Sequence, residues 1–300
     1  MIQGIYAAAI TPRRRGQQDI DLGATWDLID FLSSKKVDGI VLMGSTGEFV
    51  HFSVEERIRL MSLAAKRSRV PVIVNVSHST LDGAVELARQ TSSARAAGLV
   101  VMPPYFFRYR QDDVETFFNR FAQEAQPEIP TLLYNIPLFT TEITQTTTAR
   151  LFASGRYAGI KDSSGNWEHF EGLLAAAAGS QMTLMMGNDL LFARSKAAGA
   201  SGVISGVACA VPELLVALNK SLQENTTEVA ARLEVRLNQF IGWIDKFPVP
   251  VGIKEATALR GIKTGAHSTE LSEPQQQSLG EFRDWFRGWL PQVQKECSLA

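Results

Sequence analysis

The apolar run GIVLM at residues 39–43, followed at once by GSTGE at 44–48 and soon after by SVEE at 53–56, decides the fold. A continuous apolar run bounded by turn residues is typical of a strand that is buried on both faces of a parallel sheet. The glycines of GSTGE predict a tight turn, and SVEE has the capping serine and early acidic residues of a helix N-terminus. The stretch therefore predicts one unit of strand, turn and helix.

The same unit recurs up to about residue 210. Eight runs are predicted strands, and they lie at residues 4–10, 39–43, 71–76, 98–102, 131–134, 157–161, 182–186 and 202–205. Helical patterns separate several of them, at residues 22–34, 53 onward, 80–97, 112–125 and 190–198. Strands that alternate with helices form right-handed βαβ units. Eight such units predict an α/β fold closed as a (β/α)8 TIM barrel, with an open doubly wound sheet as the alternative.

Beyond about residue 210 the strand signals stop and only helices are predicted, at residues 212–222, 227–247, 253–261 and 273–294. A single barrel commonly takes about 250 residues, so the 300 residues of this chain leave room for an appendage. We therefore expect a barrel domain at residues 1–224 that carries the catalytic site, followed by a C-terminal helical region at residues 225–300.

The bulk composition argues against several classes of partner. The net charge is −1 and neither half of the chain is strongly basic, so nucleic-acid binding has no electrostatic footprint. No apolar stretch approaches the roughly 20 residues that a membrane-spanning helix needs, and the N-terminus lacks the features of a signal peptide. The two cysteines, Cys209 and Cys297, are far apart, as expected for a reduced, cytoplasmic protein.

Metal ions and nucleotide cofactors are not expected. None of the four histidines belongs to a metal-binding motif, and no dinucleotide fingerprint follows the first strand. The GSTGE turn also lacks the Gly-Lys-Ser/Thr sequence of a P-loop. The basic run at Arg13, Arg14 and Arg15 is short and isolated, so we expect a solvated loop there rather than an anion site.

Lys161 ends the predicted strand at 157–161, and barrel active sites lie at this end of the strands. Burial of an ammonium group is costly unless the group is paired or neutral. The neutral amine is the form that attacks a carbonyl carbon. The alternative is that the Lys161 ammonium group forms a salt bridge to Asp162 or to another carboxylate. Successive residues of a strand point to opposite faces, so Lys161 and Asp162 need not meet.

Three other groups of polar residues follow predicted strands. GSTGE at 44–48 can present backbone N–H groups and hydroxyls to a small carboxylate, or it can be an ordinary glycine-rich turn. Tyr134 can act as an acid, a base or a relay, or it can be a half-buried packing residue. Gly187, Asn188 and Asp189 can bind the hydroxyls of a polyol, or Asn188 or Asp189 can cap a helix.

These groups, in this order, resemble the dihydrodipicolinate synthase / N-acetylneuraminate lyase family. The shared motifs are Gly-Ser-Thr-Gly-Glu at 44–48, Tyr-Asn-x-Pro at 134–137 and Gly-Ile-Lys-Asp at 159–162, and together they are far more specific than any one alone. The resemblance covers the whole chain. It implies a TIM barrel and a class I lyase or aldolase that bonds covalently to a 2-keto acid such as pyruvate, with no cofactor and no metal.

The resemblance also implies roles for individual residues. Lys161 matches the lysine that forms the Schiff base, and Tyr134 matches the tyrosine that shuttles protons. Ser45 and Thr46 match the pair that holds the keto-acid carboxylate and relays protons, so Ser45 is expected to be catalytic. Tyr105 resembles a tyrosine that enters the site of a neighbouring subunit, which implies a homotetramer built as a dimer of dimers. The residues expected to bind substrate are Thr46, Gly47, Ser163, Gly187, Asp189, Ile204 and Phe139.

The choice among family members depends on two positions. The lysine-biosynthesis enzyme has an arginine where this chain has Phe139, and a phenyl ring cannot supply a cation to the carboxylate of aspartate semialdehyde. The neuraminate lyase has an acidic residue where this chain has Leu190. We therefore favour cleavage of a 2-keto-3-deoxy sugar acid, or its formation from pyruvate and an aldehyde. Dihydrodipicolinate synthase, neuraminate lyase, a keto-deoxy-sugar-acid dehydratase and a sugar-acid-binding barrel without turnover stay as alternatives.

Overall fold

The computed structural model describes residues 2–14 and 19–300 of the chain. Eight parallel strands follow one another in chain order around a closed barrel, so the predicted TIM barrel is confirmed. Each predicted strand is present, with its ends within two residues of the prediction. The strands are β1 Gly4–Ala8, β2 Gly39–Leu42, β3 Val72–Asn75, β4 Gly98–Val101, β5 Thr131–Asn135, β6 Gly159–Asp162, β7 Thr183–Met186 and β8 Gly202–Ser205.

Every residue of the eight strands is buried, which explains why the strands are continuous apolar runs. The register between β5 and β6 pairs Tyr134 with Lys161 and Asn135 with Asp162. Because successive side chains of a strand point to opposite faces, the side chains of the first pair lie on one face of the sheet and those of the second pair on the other. The first pair is the predicted catalytic pair.

The helices of the described residues lie between the strands and in the C-terminal region. They are α1 Leu22–Ser34, α2 Val54–Arg67, α3 Leu81–Ser92, α4 Gln111–Ala125, α5 Gln145–Ala153, α6 Trp167–Ala176, α7 Phe192–Ala197, α8 Val207–Ala210, α9 Pro212–Gln223, α10 Thr227–Ile244, α11 Val251–Leu259 and α12 Glu273–Ser298. Short 3₁₀ turns lie at Phe49–His51 and Asp189–Leu191.

Two differences from the predicted helices have local causes. The helix predicted at 80–97 ends at Ser92, and Arg95 then takes a left-handed backbone conformation with φ 66° that no helix continues through. The helix α5 was not predicted, because its three threonines are β-branched and weaken the helical signal. Its N-terminus is fixed by Thr144, whose side chain accepts a hydrogen bond from the Thr147 N–H.

The chain packs as two compact units. The first comprises Val54–Arg67 and Pro71–Ile204, together with the first residues up to Gly4. It contains β3 to β7 and α2 to α7. Its core includes Phe118 and Phe121 of α4, both fully buried.

The second unit comprises Ile5–Ser53, Ser68–Val70 and Ser205–Ala300. It contains α1, β2 and α8 to α12. Aromatic rings pack between α10 and α12, where the ring centre of Phe240 is 5.6 Å from Trp289 and 5.8 Å from Phe286. The predicted domain boundary at residue 224 falls between α9 and α10 and stays a prediction. No helix in the described part of the chain is long and apolar enough to span a membrane.

The expectation of a solvated loop at Arg13–Arg15 is wrong for Arg13. Its side chain is buried, since the guanidinium lies 3.6 Å from the Glu48 carboxylate and 4.5 Å from the centre of the Phe52 ring. Burial of this cation is therefore offset by an ion pair and an aromatic face. Arg14 is exposed, and Arg15 lies outside the described residues.

Candidate active site

Lys161 and Tyr134 lie side by side near the C-terminal ends of β6 and β5. The Lys161 Nζ atom is 4.2 Å from the centre of the Tyr134 ring. Both residues are buried, with 5% of Lys161 and 1% of Tyr134 exposed. Tyr134 is therefore fully buried rather than half-buried, and its part in the chemistry stays a prediction. The pair places an amine next to a phenol at the end of the barrel where active sites lie.

Asp162 does not pair with the Lys161 amine. Its carboxylate accepts hydrogen bonds from Asn135 Nδ2 at 2.6 Å and from Ser164 Oγ at 2.8 Å. Among residues 2–14 and 19–300, no carboxylate forms an ion pair with Lys161. A structural salt bridge therefore does not account for this lysine.

Gly187 packs closely against Lys161 and Ser163. A Cβ atom at this position would lie 3.0 Å from Lys161 Cε and 2.9 Å from the Asp162 carbonyl oxygen, and it would overlap with Ser163 Oγ. Any larger residue would have to displace the Ser163 side chain and shift the nearby backbone or the lysine. The structure thus places two of the predicted substrate-binding residues, Gly187 and Ser163, close to the Lys161 side chain.

The residues after Gly187 form the 3₁₀ turn Asp189–Leu191. Asn188 Oδ1 accepts a hydrogen bond from the Leu190 N–H at 3.0 Å, so Asn188 caps this turn, as one of the two interpretations of the motif held. Asp189 is half-buried, whereas Leu190 has 49% of its surface exposed. The part of Asp189 in substrate binding stays a prediction.

The GSTGE turn belongs to the second unit and follows β2. Two residues with left-handed backbone conformations bracket it, Met43 with φ 57° and Glu48 with φ 54°. Each such conformation costs about 1 kcal/mol or more for a residue other than glycine and persists only where surrounding contacts hold it. One of these contacts is the hydrogen bond that Thr11 Oγ1 donates to the Gly47 carbonyl at 2.7 Å.

Ser45 is half-buried and Thr46 is buried within this turn. A Cβ atom on Gly47 would lie 3.1 Å from the Met43 backbone, so glycine permits a close backbone approach there. A Cβ atom on Gly206 would lie 3.2 Å from Thr46 Oγ1. The turn is thus tightly packed, and the roles of Ser45, Thr46 and Gly47 toward a substrate stay predictions.

Glu48 forms a buried ion pair that the sequence did not indicate. Lys254 Nζ lies 3.0 Å from Glu48 Oε2 and 3.0 Å from the Ala266 carbonyl oxygen, to both of which it donates. Burial raises the pKa of Glu48, but Lys254 and Arg13 outweigh it and hold that pKa below its ordinary value. The partners are 206 residues apart, so no local pattern could reveal the pair.

Tyr105 lies half-buried in the loop after β4, where its backbone pairs with Thr140. The buried Arg57 faces it, and burial lowers the pKa of Arg57 to about 10 while Tyr105 acts in the opposite direction. The next residue, Phe106, has φ 85° and is 86% exposed. Tyr105 therefore packs within its own unit and Phe106 projects. The entry of Tyr105 into a neighbouring subunit stays a prediction.

The last two predicted substrate-binding residues differ in burial. Phe139, in the loop after β5, has 47% of its surface exposed, and Ile204 of β8 has 1% exposed. Their part in substrate binding stays a prediction. In residues 2–14 and 19–300, no group of three or more His, Cys, Asp or Glu side chains is arranged to hold a metal ion.

Comparison with known proteins connects this geometry to a family. The sequence profile of the dihydrodipicolinate synthetase family matches residues 1–282. The 4-hydroxy-tetrahydrodipicolinate synthase of Methanosphaerula palustris is 29% identical over 279 residues, which cover 91% of this chain and 94% of that protein.

Two solved structures are similar along nearly the whole chain. YagE of E. coli K12, a prophage protein of the dihydrodipicolinic acid synthase family in complex with pyruvate, has 25% identity and a TM-score of 0.88, over 96% of this chain and 99% of that one. The 2-keto 3-deoxygluconate aldolase of Picrophilus torridus has 27% identity and a TM-score of 0.84, over 89% of this chain and 97% of that one. The chain therefore belongs to the dihydrodipicolinate synthetase family and is an enzyme of the lyase type.

Proposed function

We propose that this enzyme is a Schiff-base aldolase in which Lys161 bonds to pyruvate or to a 2-keto acid that contains it. One observation carries the proposal. The Lys161 amine is buried, lies 4.2 Å from the Tyr134 ring centre, and forms no ion pair with any described carboxylate. A lysine in such a place is costly to stability and suited to attack on a carbonyl group.

The proposed reaction begins when the Lys161 amine attacks the C2 carbonyl of the 2-keto acid. Tyr134 moves a proton from nitrogen to oxygen, water leaves, and a protonated imine remains. The imine draws the electrons of the C3–C4 bond as it breaks, while the C4 hydroxyl loses its proton and the aldehyde departs. The enamine left on Lys161 is then protonated at C3 and hydrolysed to pyruvate and the free amine.

Ser45 and Thr46 hold the keto-acid carboxylate in this proposal, as the family resemblance implies. Their turn supports the assignment because it combines hydroxyls with a strained backbone that is bonded to Thr11. A fixed carboxylate would orient the carbonyl carbon toward the amine, which is the part of catalysis that positioning supplies.

The favoured substrate is a 2-keto-3-deoxy sugar acid. Phe139 brings no cation to the loop after β5, which disfavours an aldehyde that carries its own carboxylate, such as aspartate semialdehyde. The similarity to a 2-keto 3-deoxygluconate aldolase agrees with this choice, and the pyruvate complex of YagE agrees with the keto-acid half. 4-Hydroxy-tetrahydrodipicolinate synthesis is the second candidate, favoured by the named relatives.

Borohydride reduction in the presence of pyruvate tests the covalent step. We expect a stable pyruvate adduct on Lys161, located by peptide mass spectrometry, and none on Lys254. An adduct on another lysine, or no adduct, would contradict the proposal. A substrate panel then separates the candidates: pyruvate release from several 2-keto-3-deoxy sugar acids, set against condensation of pyruvate with aspartate semialdehyde.

We also propose that a second copy of this chain covers the apolar surface formed by Phe106, Phe107 and Leu138, which are 86%, 64% and 75% exposed. Arg108 joins the two loops that carry these residues, since it donates hydrogen bonds to the carbonyl oxygens of Pro137 and Thr140. Contiguous exposed apolar residues of this kind mark protein interfaces.

Sedimentation of a Phe106→Ser/Phe107→Ser variant tests the second copy. We expect a smaller particle than that of the parent protein. Val235→Ser, which changes an exposed apolar residue of α10, is the matched control and should leave the particle unchanged. A parent protein that sediments as a monomer would refute the interface.

A further inference from the structure

A cluster of polar side chains lies on the face of β5 and β6 opposite Lys161 and Tyr134, and the proposed reaction does not use it. Asn135 Nδ2 donates to Asp162 Oδ1 at 2.6 Å, and Asn135 Oδ1 accepts from the Ile143 N–H at 3.0 Å. The other carboxylate oxygen, Asp162 Oδ2, accepts from Ser164 Oγ at 2.8 Å. The two strand residues are also paired in the barrel register.

His169 of α6 completes this cluster. Its Nε2 atom is 3.2 Å from Asn135 Nδ2 and 3.8 Å from Asp162 Oδ1, and its Nδ1 atom is 3.5 Å from Glu142 Oε1. The second N–H of Asn135 finds an acceptor when His169 is neutral and carries its proton on Nδ1, toward Glu142. In that state both donors and the carbonyl oxygen of the Asn135 amide have partners.

The position of this cluster links it to the reacting pair. Asn135 and Asp162 directly follow Tyr134 and Lys161, so their hydrogen bond joins the two strands one residue beyond the amine and the phenol. We propose that Asn135 and Asp162 are positioning residues, whose hydrogen bond holds the Lys161 amine and the Tyr134 ring at their working separation. The proposal deepens the proposed function and rests on it.

The polar character of the Asn135–Asp162 pair favours a positioning role over a purely stabilising one. Asp162 has 1% of its surface exposed, and burial raises its pKa, against the hydrogen bonds from Ser164 and Asn135 and the nearby His169. A well-packed apolar pair would avoid this desolvation cost. A hydrogen bond, however, fixes direction as well as distance, whereas an apolar contact does not. The pair therefore suits a place where geometry matters more than stability.

Matched variants distinguish a positioning role of the Asn135–Asp162 hydrogen bond from a purely stabilising one. Asp162→Leu removes the acceptor at similar size. Asp162→Asn keeps an oxygen for Asn135 Nδ2 and presents an amide to Ser164 Oγ, so it should preserve the cluster. The control is Tyr157→Phe, which removes a buried hydrogen bond to the Phe118 carbonyl, 2.7 Å long, two residues before the start of β6.

The expected result is a split between turnover and stability. Asp162→Leu and Asn135→Ala should lower kcat about 10²-fold, the size of effect that a 1 Å misplacement produces, with little change in the KM for the 2-keto acid. Asp162→Asn should restore kcat. Tyr157→Phe should unfold at lower denaturant concentration and keep the parent kcat. Asn135→Ala, which leaves the Ser164 bond to Asp162, carries the test if Asp162→Leu does not fold.

The rate of pyruvate trapping by borohydride on Lys161 is measured in the same proteins. It should fall with kcat in Asp162→Leu and recover in Asp162→Asn. If the parent traps pyruvate while Asp162→Leu and Asn135→Ala turn over like Tyr157→Phe, the positioning role is refuted and the proposed function stands. If the parent itself traps no pyruvate on Lys161, the proposed function fails and this inference fails with it.

Discussion

Lys161 in the first unit and Lys254 in the second are both buried lysines, with 5% and 1% of their surfaces exposed, but their surroundings are opposite. Lys254 donates to the Glu48 carboxylate and to the Ala266 carbonyl, both at 3.0 Å. Lys161 faces the ring of Tyr134 and forms no ion pair with any described residue.

The two surroundings separate a lysine that is held by a carboxylate from one that lies over an aromatic ring. Desolvation lowers the pKa of Lys254, and the Glu48 carboxylate counteracts this, so the charge is tolerated as part of a pair. Lys161 has no such carboxylate among the described residues and lies instead over the ring of Tyr134. A buried lysine without a carboxylate partner is costly to the free energy of folding, and a chemical role of the kind proposed for Lys161 would account for that cost.

The sharpest test of the comparison is Lys161→Met. Loss of the amine that is proposed to form the Schiff base should reduce turnover by roughly 10⁴- to 10⁶-fold, as removal of a covalent nucleophile does elsewhere. The free energy of unfolding, from denaturant titration, should not fall, because the substitution removes a buried amine that forms no ion pair with any described residue. Substantial residual turnover, or a marked loss of stability, would make Lys161 another structural lysine.

Tyr134→Phe tests the residue that lies against Lys161. The ring and its packing against Lys161 remain, and only the hydroxyl is lost. Removal of a proton-transfer group should lower kcat by about 10²- to 10⁴-fold, while the KM for the 2-keto acid changes little. Steady-state kinetics measures both constants. An unchanged kcat would remove Tyr134 from the chemistry and leave it as packing.

Lys254→Met tests the buried lysine that pairs with Glu48. It should lower the free energy of unfolding by about 3–5 kcal/mol, because the buried Glu48 loses its main partner. The Arg13 guanidinium, 3.6 Å from the Glu48 carboxylate, remains in this variant, so the loss of unfolding free energy should lie near the lower end of this range. The double variant Glu48→Gln/Lys254→Met should recover part of the loss. Borohydride labelling of Lys161 should persist in both folded variants; its loss would show that the two lysines are not functionally separate.

The smallest effect is the pH dependence of the Glu48 pair. The folded-state pKa of Glu48 is below its ordinary value of 4.5. Its ionisation therefore contributes stability that is present above pH 4.5 and is lost as the pH falls through the lowered pKa. The difference in unfolding free energy between the parent and Glu48→Gln should shrink across that window. A constant difference would mean that the pair contributes no linked stability.

Much of the fold and part of the site follow from local sequence. The eight apolar runs mark the strands because parallel barrel strands are buried on both faces. Lys161 and Tyr134 stand out because each is a polar residue near the end of such a run, and the strand order then places them side by side. Helices rich in β-branched residues, such as α5, escaped prediction because packing overrides their weak propensity.

Only the tertiary structure decided which partners the buried polar groups bond to. Glu48 and Lys254 are 206 residues apart, and Asn135 and Asp162 are 27 apart. Arg13 was expected in solvent for the same reason, since its partners Glu48 and Phe52 are not local. Sequence patterns report periodicity and burial within one element, whereas ion pairs and hydrogen bonds depend on which elements meet. The sequence alone thus identified Lys161 as a candidate, and the structure showed that it is not held in an ion pair by any described residue.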